Sequence, residues 1–161
     1  FIAGAEYGPA KRWPIEHFIE AGKLLVEKHQ AHLLLFGGKG DVETATEIAA
    51  ALPAEHITNL AAKTSLTQLV TQLGECNAVL TNDTGPMHVA AAVGTPVIVP
   101  FGSTSPELTA PGLPNADHSP HQFLRTTAPC SPCFLKKCPI DLRCLQDITP
   151  AQAAAAVARA L

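Results

Sequence analysis

Short apolar runs alternate with longer amphipathic stretches along the whole chain. The apolar runs predict parallel strands at residues 1–4, 32–36, 57–60, 78–80 and 95–101. Between them, apolar residues recur every three or four positions, which predicts helices that begin near Trp13, Asp41, Ser65, Thr84 and Thr149. Ser65 and Gln68 have the spacing of a capping box, and Thr149 is expected to cap a last helix that runs to Leu161. Strands that alternate with helices are typical of a parallel sheet covered on both faces. We therefore predict an α/β fold with a Rossmann-like sheet, formed as a single domain over residues 1–161.

The stretch from residue 78 to residue 94 is the centre of this prediction. An apolar strand gives way to turn residues, then to an Ala-rich helix that a glycine ends. Asp83 or Thr84 is expected to cap the first turn, and Pro86 suits an early helical position because its missing N–H has no partner there anyway. Such a turn directs free N–H groups and the positive helix end out of the carboxyl edge of the sheet. Anionic groups, phosphates above all, bind at such edges.

The composition fits an ordinary globular core and argues against nucleic acid as a partner. The chain has 161 residues, of which 47% are hydrophobic and 16% charged, and its formal net charge is -3. Lys and Arg occur next to each other only as pairs, which are too short to form a basic patch for nucleic acid. The chain begins with Phe1, inside a predicted strand and without an initiator Met, so we expect it to be a piece of a longer protein.

Polar residues follow the first two predicted strands. Lys11 and Arg12 come after the first strand, where two cations match a diphosphate. The alternative for this pair is two solvated loop charges. Asp41 comes after the second strand and suits the hydroxyl pair of a ribose, the cap of a helix, or both.

Four candidate residues share the central strand-to-helix turn. Asp83 suits a hydrogen bond from a sugar, Thr84 suits donation to a phosphate, and Gly85 permits close backbone approach. His88 lies on the first turns of the helix, facing either a ligand or the sheet. A plain cap with a buried histidine explains each residue alone, whereas their combination favours ligand binding. The sequence contains no nucleophile elbow, Walker loop or G-x-G-x-x-G fingerprint.

Four of the five cysteines cluster in Pro-rich sequence late in the chain. The spacing Cys130-x2-Cys133-x4-Cys138-x5-Cys144 is tight enough to hold one tetrahedral metal, and four thiolates favour zinc or an iron–sulfur cluster. The alternative is a set of reduced thiols in a surface loop. The surrounding residues 111–144 are predicted to be irregular, apart from one short strand near residues 123–124.

Three motifs stand out together. They are residues 4–14 (GAEYGPAKRWP), residues 36–38 (FGG) with Asp41, and residues 82–92 (NDTGPMHVAAA). These motifs closely resemble glycosyltransferase family nine, the ADP-heptose:lipopolysaccharide heptosyltransferases, and most of all its heptosyltransferase II members. The resemblance extends over nearly the whole chain.

The resemblance implies a GT-B architecture, in which two Rossmann-like domains face each other across a cleft. This chain would be the carboxyl-terminal, donor-binding domain, and the amino-terminal acceptor domain with its proposed catalytic carboxylate would be absent from it. The resemblance therefore assigns no catalytic residue here, only substrate contacts: Lys11 to the diphosphate or sugar, Asp41 to the nucleoside, the Thr64 region to adenine, and Asp83, Thr84, Gly85 and His88 to the diphosphate and heptose.

The implied reaction moves heptose from ADP-heptose to a hydroxyl of inner-core lipopolysaccharide, with inversion at the anomeric carbon. No cofactor is expected for catalysis, and zinc at the four cysteines would be structural. Expected partners are the ADP-heptose donor, the lipopolysaccharide acceptor and the missing amino-terminal domain, in the cytoplasm at the inner face of the inner membrane. The fragment alone would be inactive. The alternatives are a GT-B domain for another nucleotide sugar, and a non-catalytic module whose cysteine cluster binds metal and recruits a partner.

Overall fold

The computed structural model describes residues 1–112 and 119–161. Its strands are β1 (Leu33–Leu35), β2 (Ile57–Asn59), β3 (Val79–Leu80), β4 (Val97–Phe101) and β5 (Gln122–Arg125). Its helices are α1 (Ile15–His29), α2 (Val42–Ala50), α3 (Leu66–Glu75), α4 (Gly85–Ala92), α5 (Pro106–Thr109), α6 (Arg143–Gln146) and α7 (Pro150–Ala158). Within the described ranges, no helix has both the length and the hydrophobicity to cross a bilayer. Short 3₁₀ turns lie at Pro9–Lys11, Lys39–Asp41 and Ala54–His56.

The strands form parallel pairs that the start of the chain connects. β1 pairs with β2, while β4 lies between β3 and β5. Phe1 accepts a hydrogen bond from the Phe36 N–H at 2.9 Å, and the Ile2 N–H donates to the Leu80 carbonyl at 3.0 Å. The order across the molecule is therefore β2, β1, residues 1–3, β3, β4, β5. The predicted first strand at residues 1–4 is shorter than expected, because only Ile2 forms a ladder bridge, to Thr81.

Helices cover both faces of this sheet, as the fold prediction required. Successive residues of β4 point to opposite sides because side chains alternate along a strand. Ile98 belongs to a core cluster with Phe18 of α1 and residues of α7. Val99 belongs to a second cluster with Met87 of α4 and Leu73 of α3. The predicted α/β fold with a Rossmann-like parallel sheet is confirmed.

Two predicted helix caps are confirmed. Ser65 accepts a hydrogen bond from the Gln68 N–H, and Thr149 accepts one from the Gln152 N–H, each within a reciprocal capping box. Gly94 ends α4 as predicted, at a φ of 87°, a conformation that glycine adopts without the steric cost of a Cβ.

Other predicted helix features are confirmed only in part. Asp41 and Thr84 occupy N-cap positions of α2 and α4, but neither side chain makes a cap hydrogen bond, and the Asp83 carboxylate is used elsewhere. The last helix ends at Ala158 instead of Leu161.

The late irregular region is mostly as predicted. β5 confirms the short strand near residues 123–124, and α6 adds a four-residue helix at the end of the region. The part of this prediction that covers residues 113–118 lies outside the described residues.

Asn82 connects three parts of the fold immediately after β3. Its side chain is fully buried; Oδ1 accepts from the Trp13 N–H at 3.0 Å, and Nδ2 donates to the Ala3 carbonyl at 2.7 Å. Trp13 in turn donates from Nε1 to the Ile148 carbonyl at 2.9 Å. The amide of Asn82 therefore fixes the loop before α1 and the first residues of the chain against the end of β3.

Asn82→Asp should destabilise the fold by about 2 kcal/mol or more, because it places a carboxylate oxygen against the Ala3 carbonyl in a buried site. The measurement is the free energy of unfolding in urea. Asn77→Asp makes the same change at an exposed position and should have little effect. Equal losses in the two variants would contradict the structural role of the Asn82 amide.

Candidate functional site

A cleft of about 780 Å³ opens at the carboxyl edge of the sheet. Ligands of open α/β sheets bind at this edge, outside the strand ends. The structure brings all seven predicted substrate-binding residues to the wall of this one cleft: Lys11, Asp41, Thr64, Asp83, Thr84, Gly85 and His88. Their roles toward a ligand stay predictions.

The Asp83 carboxylate is the hydrogen-bonding centre of the cleft. Its side chain is 5% exposed, and Oδ2 accepts from Lys11 Nζ at 2.7 Å, from Thr104 Oγ1 at 2.7 Å and from Thr109 Oγ1 at 2.9 Å. One cation and two hydroxyl groups compensate the loss of water around this charge. The arrangement ties the turn at Pro9–Lys11 and the segment from Thr104 to Thr109 to one oxygen of Asp83.

Lys11 is the last residue of the 3₁₀ turn at Pro9–Lys11 and is the cation that faces the cleft. Besides its ion pair with Asp83, its Nζ lies 4.8 Å from the centroid of the Tyr7 ring. Arg12 behaves differently from the predicted second phosphate ligand. Its guanidinium donates to the Ala5 carbonyl at 3.3 Å, and Arg12 does not belong to the cleft wall.

Asp41 lies in a space that two glycines leave open. Its Oδ2 accepts from the Gly38 N–H at 2.9 Å. A Cβ on Gly4 would lie 2.3 Å from Asp41 Oδ1, and one on Gly37 would lie 2.7 Å from Asp41 Cβ. The carboxylate therefore fits between two strand ends only because both neighbours lack a side chain. Within the described residues, Oδ1 accepts no hydrogen bond.

The first turn of α4 forms another part of the cleft wall. Gly85 is exposed and an added Cβ would meet nothing within 4 Å, so the approach to the backbone of this turn is open. His88 is exposed one turn further along, on the cleft side of α4 instead of in the core. The positive end of α4 favours an anion at this position.

Acidic residues outnumber basic residues in the cleft wall. Lys11 is its one Lys or Arg among the described residues, whereas Glu6, Asp41 and Asp83 are acidic. Because Asp83 already has three donors, its charge is largely compensated inside the protein. An anionic ligand would therefore depend on Lys11 and on the end of α4.

Sequence reasoning missed Thr104 and Thr109. Both lie after β4, at the same sheet edge as the predicted residues, and the small polar residues following this strand were the available signal. Thr109 is carried by α5, which an ion pair between Glu107 and Arg125 connects to the end of β5 at 2.5 Å. The pKa of Glu107 is lowered to about 2, chiefly by the hydrogen bond from Arg125 and then by the one from Ser105.

The four clustered cysteines do not support the zinc prediction. Cys130, Cys133, Cys138 and Cys144 are free thiols that line a separate small cavity. Over residues 1–112 and 119–161, however, no group of three or more Cys, His, Asp or Glu side chains is arranged to hold a metal. Their environments differ: Cys144 is buried, and burial is the main cause that raises its pKa to about 11, whereas Cys130 is exposed.

The fold and the cleft define a class of protein: a Rossmann-like α/β domain with a polar cleft outside the carboxyl ends of its strands. The model of glycosyltransferase family 9 (heptosyltransferase) matches residues 1–143. This chain belongs to that family, which confirms the family predicted from the three motifs.

Similar proteins within the family are heptosyltransferases. Lipooligosaccharide heptosyltransferase 2 of Haemophilus influenzae is 46% identical over 114 residues, which are 69% of this chain and 33% of that protein. Lipopolysaccharide heptosyltransferase 2 of Escherichia coli is 45% identical over 114 residues, which are 69% of this chain and 32% of that protein. The solved structure of E. coli ADP-heptose lps heptosyltransferase II matches with a TM-score of 0.82 and 36% identity, over 99% of this chain and 45% of that chain. This chain thus spans a third to under half of the length of these relatives.

The thiol environments predict an order of alkylation in the folded protein. Thiolates are the reactive species, so at pH 8 a thiol with a pKa of about 11 is ionised in only roughly one molecule per thousand. Iodoacetamide should therefore modify Cys130 first and Cys144 last, as followed by peptide mass spectrometry over time.

Raising the pH to 10 should speed the modification of Cys144, because a larger fraction of a thiol with a pKa of about 11 is then ionised. If all four thiols were instead equally protected from alkylation, and a chelator abolished that protection, the result would support the metal site.

Proposed function

We propose that this chain is the donor-binding, carboxyl-terminal half of a GT-B heptosyltransferase that holds ADP-heptose in the cleft. The observation that carries the proposal is the cluster at Asp83, where Lys11, two threonine hydroxyls and the first turn of α4 meet. Membership of the heptosyltransferase family supplies the substrate class. The amino-terminal half of the enzyme would supply the acceptor site.

The diphosphate is assigned to Lys11 and the first turn of α4. Lys11 forms an ion pair with Asp83, and a bound diphosphate would compete with Asp83 for the Lys11 ammonium group. Thr104 and Thr109 would still donate to Asp83 Oδ2, so the carboxylate keeps hydrogen bonds when Lys11 turns to the ligand. Thr84 and the open backbone at Gly85 complete the anion site, and Asp83 and His88 are left to contact the heptose.

The nucleoside is assigned to the side of the cleft that contains Asp41. The unbonded Oδ1 of Asp41 suits a ribose hydroxyl, because a carboxylate is a strong hydrogen-bond acceptor. Thr64 is half-buried beside the start of α3, where Leu66 and Leu69 add apolar surface to the cleft wall. This part of the wall suits the flat, largely apolar faces of adenine.

The proposed reaction is one displacement with inversion at the anomeric carbon. An acceptor hydroxyl of inner-core lipopolysaccharide forms the new C–O bond, its proton passes to a base of the amino-terminal half, and the bond to the β-phosphate of ADP breaks. The leaving diphosphate gains negative charge, which Lys11 and the end of α4 stabilise. The chain has no Asp-x-Asp motif, so these groups take the role that a metal has in other glycosyltransferases. The acceptor places the enzyme in the cytoplasm, at the inner face of the inner membrane.

A comparison of nucleotides tests the donor assignment directly. ADP and ADP-heptose should raise the thermal midpoint of the chain more than UDP or GDP at equal concentration, since ligands that bind only the folded state stabilise it. A larger shift with another nucleotide would favour a GT-B domain for a different sugar donor. No shift with any nucleotide would favour a module that does not bind donors.

Lys11→Ala should weaken ADP binding roughly 10- to 100-fold and leave adenosine binding nearly unchanged, because the lost partner is a charged hydrogen bond to the diphosphate. Isothermal titration calorimetry with both ligands measures the difference. Lys28→Ala removes an exposed lysine on α1 and serves as the matched control. Equal losses for ADP and adenosine would count against the assignment of Lys11.

The chain alone should bind ADP-heptose but transfer no heptose to a heptose-deficient lipopolysaccharide, whereas the full-length enzyme should turn over. A base must lie within hydrogen-bond reach of the hydroxyl that it deprotonates. Asp83 keeps two hydroxyl donors when Lys11 turns to the ligand, and the other predicted site residues are assigned to the sugar nucleotide. Steady turnover by the chain alone would overturn the domain assignment and make His88 or Asp83 the candidate base.

A further inference from the structure

A segment outside the cleft contacts both loops that hold the charged cluster. We call residues 130–138 the bracing segment. It lies between the loop after β4, which carries Thr104, and the turn at Pro9–Lys11, which carries Lys11. These two loops meet at Asp83, so a segment fixed to both determines how far apart they lie.

The contacts with the loop after β4 are two hydrogen bonds. Ser131 Oγ donates to the Gly102 carbonyl at 2.6 Å, and the Phe134 N–H donates to the Ser103 carbonyl at 2.7 Å. The next residue, Thr104, is the one that donates to Asp83. The bracing segment is therefore bonded to the residue that immediately precedes Thr104 of the charged cluster.

The contacts with the Lys11 turn come from Phe134 and Lys136 of the bracing segment. The Ala10 N–H donates to the Lys136 carbonyl at 3.1 Å, and the Tyr7 hydroxyl donates to the Phe134 carbonyl at 3.3 Å. The Tyr7 ring also lies 4.8 Å from Lys11 Nζ. The backbone on one side of Lys11 and an aromatic ring against its ammonium group thus depend on the same segment.

Gly8 makes this approach sterically allowed. A Cβ at position 8 would lie 2.3 Å from the Lys136 carbonyl oxygen and 3.0 Å from its carbon. Both neighbours are backbone atoms, so no side-chain rotation can relieve the overlap. Either the turn or the bracing segment would have to move.

We propose that the bracing segment positions Lys11 for the donor diphosphate, with Gly8 and Tyr7 as the positioning residues through which it acts. The proposal rests on the proposed function for the identity of the ligand. Its structural content, that the bracing segment holds Lys11 against Asp83, is independent of any ligand.

The first test follows Lys11 itself. Lysine acetylation with a water-soluble reagent, followed by mass spectrometry, reports how fast each amine reacts. In the wild-type chain Lys11 should be acetylated slowly, because its side chain is only 10% exposed and its ammonium group is paired with Asp83. Gly8→Ala should raise the rate at Lys11 several-fold and leave Lys28, an exposed lysine on α1, unchanged. Tyr7→Phe, which removes one hydroxyl and keeps the ring, should give a smaller rise without a risk to the fold.

The second test follows the ligand. Gly8→Ala should weaken ADP binding roughly tenfold or more and change adenosine binding little, because misplacing a charged group is costly. Gly74→Ala is the matched control, since a Cβ there meets Val93 at an ordinary 3.9 Å. Circular dichroism and urea unfolding confirm that the variants compared are folded.

The outcomes separate the two proposals. Unchanged acetylation of Lys11 in folded Gly8→Ala and in Tyr7→Phe would overturn the bracing role. A faster reaction at Lys11, together with no ADP binding by the wild-type chain, would support the bracing role and refute the donor assignment. Equal losses of ADP and adenosine affinity in Gly8→Ala would also contradict positioning of Lys11 in particular.

Discussion

The carboxylate of Asp83 is almost out of contact with water, and donors from two distant segments of the chain converge on one of its oxygens. The turn before α1 brings Lys11, the loop after β4 brings Thr104, and α5 brings Thr109. A buried charge without partners would cost several kcal/mol, so these loops cannot move apart independently. The geometry of the cleft therefore depends on the electrostatics of one side chain. The same interaction determines where Lys11 can reach.

The parallel sheet explains why these loops meet at all. Residues 1–3 pair with β1 on one side and β3 on the other, so the chain segments that carry Lys11, Asp41 and Asp83 leave the sheet at neighbouring positions. Asn82 secures this junction with hydrogen bonds to Trp13 and Ala3. Backbone pairing thus brings the loops to the same edge of the sheet, and the buried Asn82 amide and Asp83 carboxylate fix their positions there.

The sequence predicted most of the fold, because each helix and strand has a local pattern. The apolar periodicity of α1, the Ser65 capping box and the Gly94 stop all depend on neighbouring residues, and the structure confirms them. Of the two alternatives for the cap of α4, Thr84 occupies the N-cap position, and Asp83 has a role that no local pattern predicted. Its partner Lys11 is 72 positions away, and no local pattern reveals a contact over that distance.

The candidate site, too, was predicted in part and missed in part. Residues at strand ends were predicted to share one edge, and the cleft contains all seven. Thr104 and Thr109 were missed because hydroxyl-bearing residues after a strand have no distinctive spacing. The cysteine spacing misled in a different way. It fits a metal-binding pattern, but spacing alone does not determine how the four thiols are arranged in space.

The central place of residues 1–3 in the sheet has a consequence for how the protein folds. Ile2 bridges Thr81, so this bridge joins residues 79 positions apart. Pairings between distant residues slow folding, since the entropy of closing the long loop is lost before the contact forms. During synthesis at about 5–20 residues per second, the segment would wait several seconds for β3. Until then its apolar residues and unpaired edges are open to chaperones or to other chains.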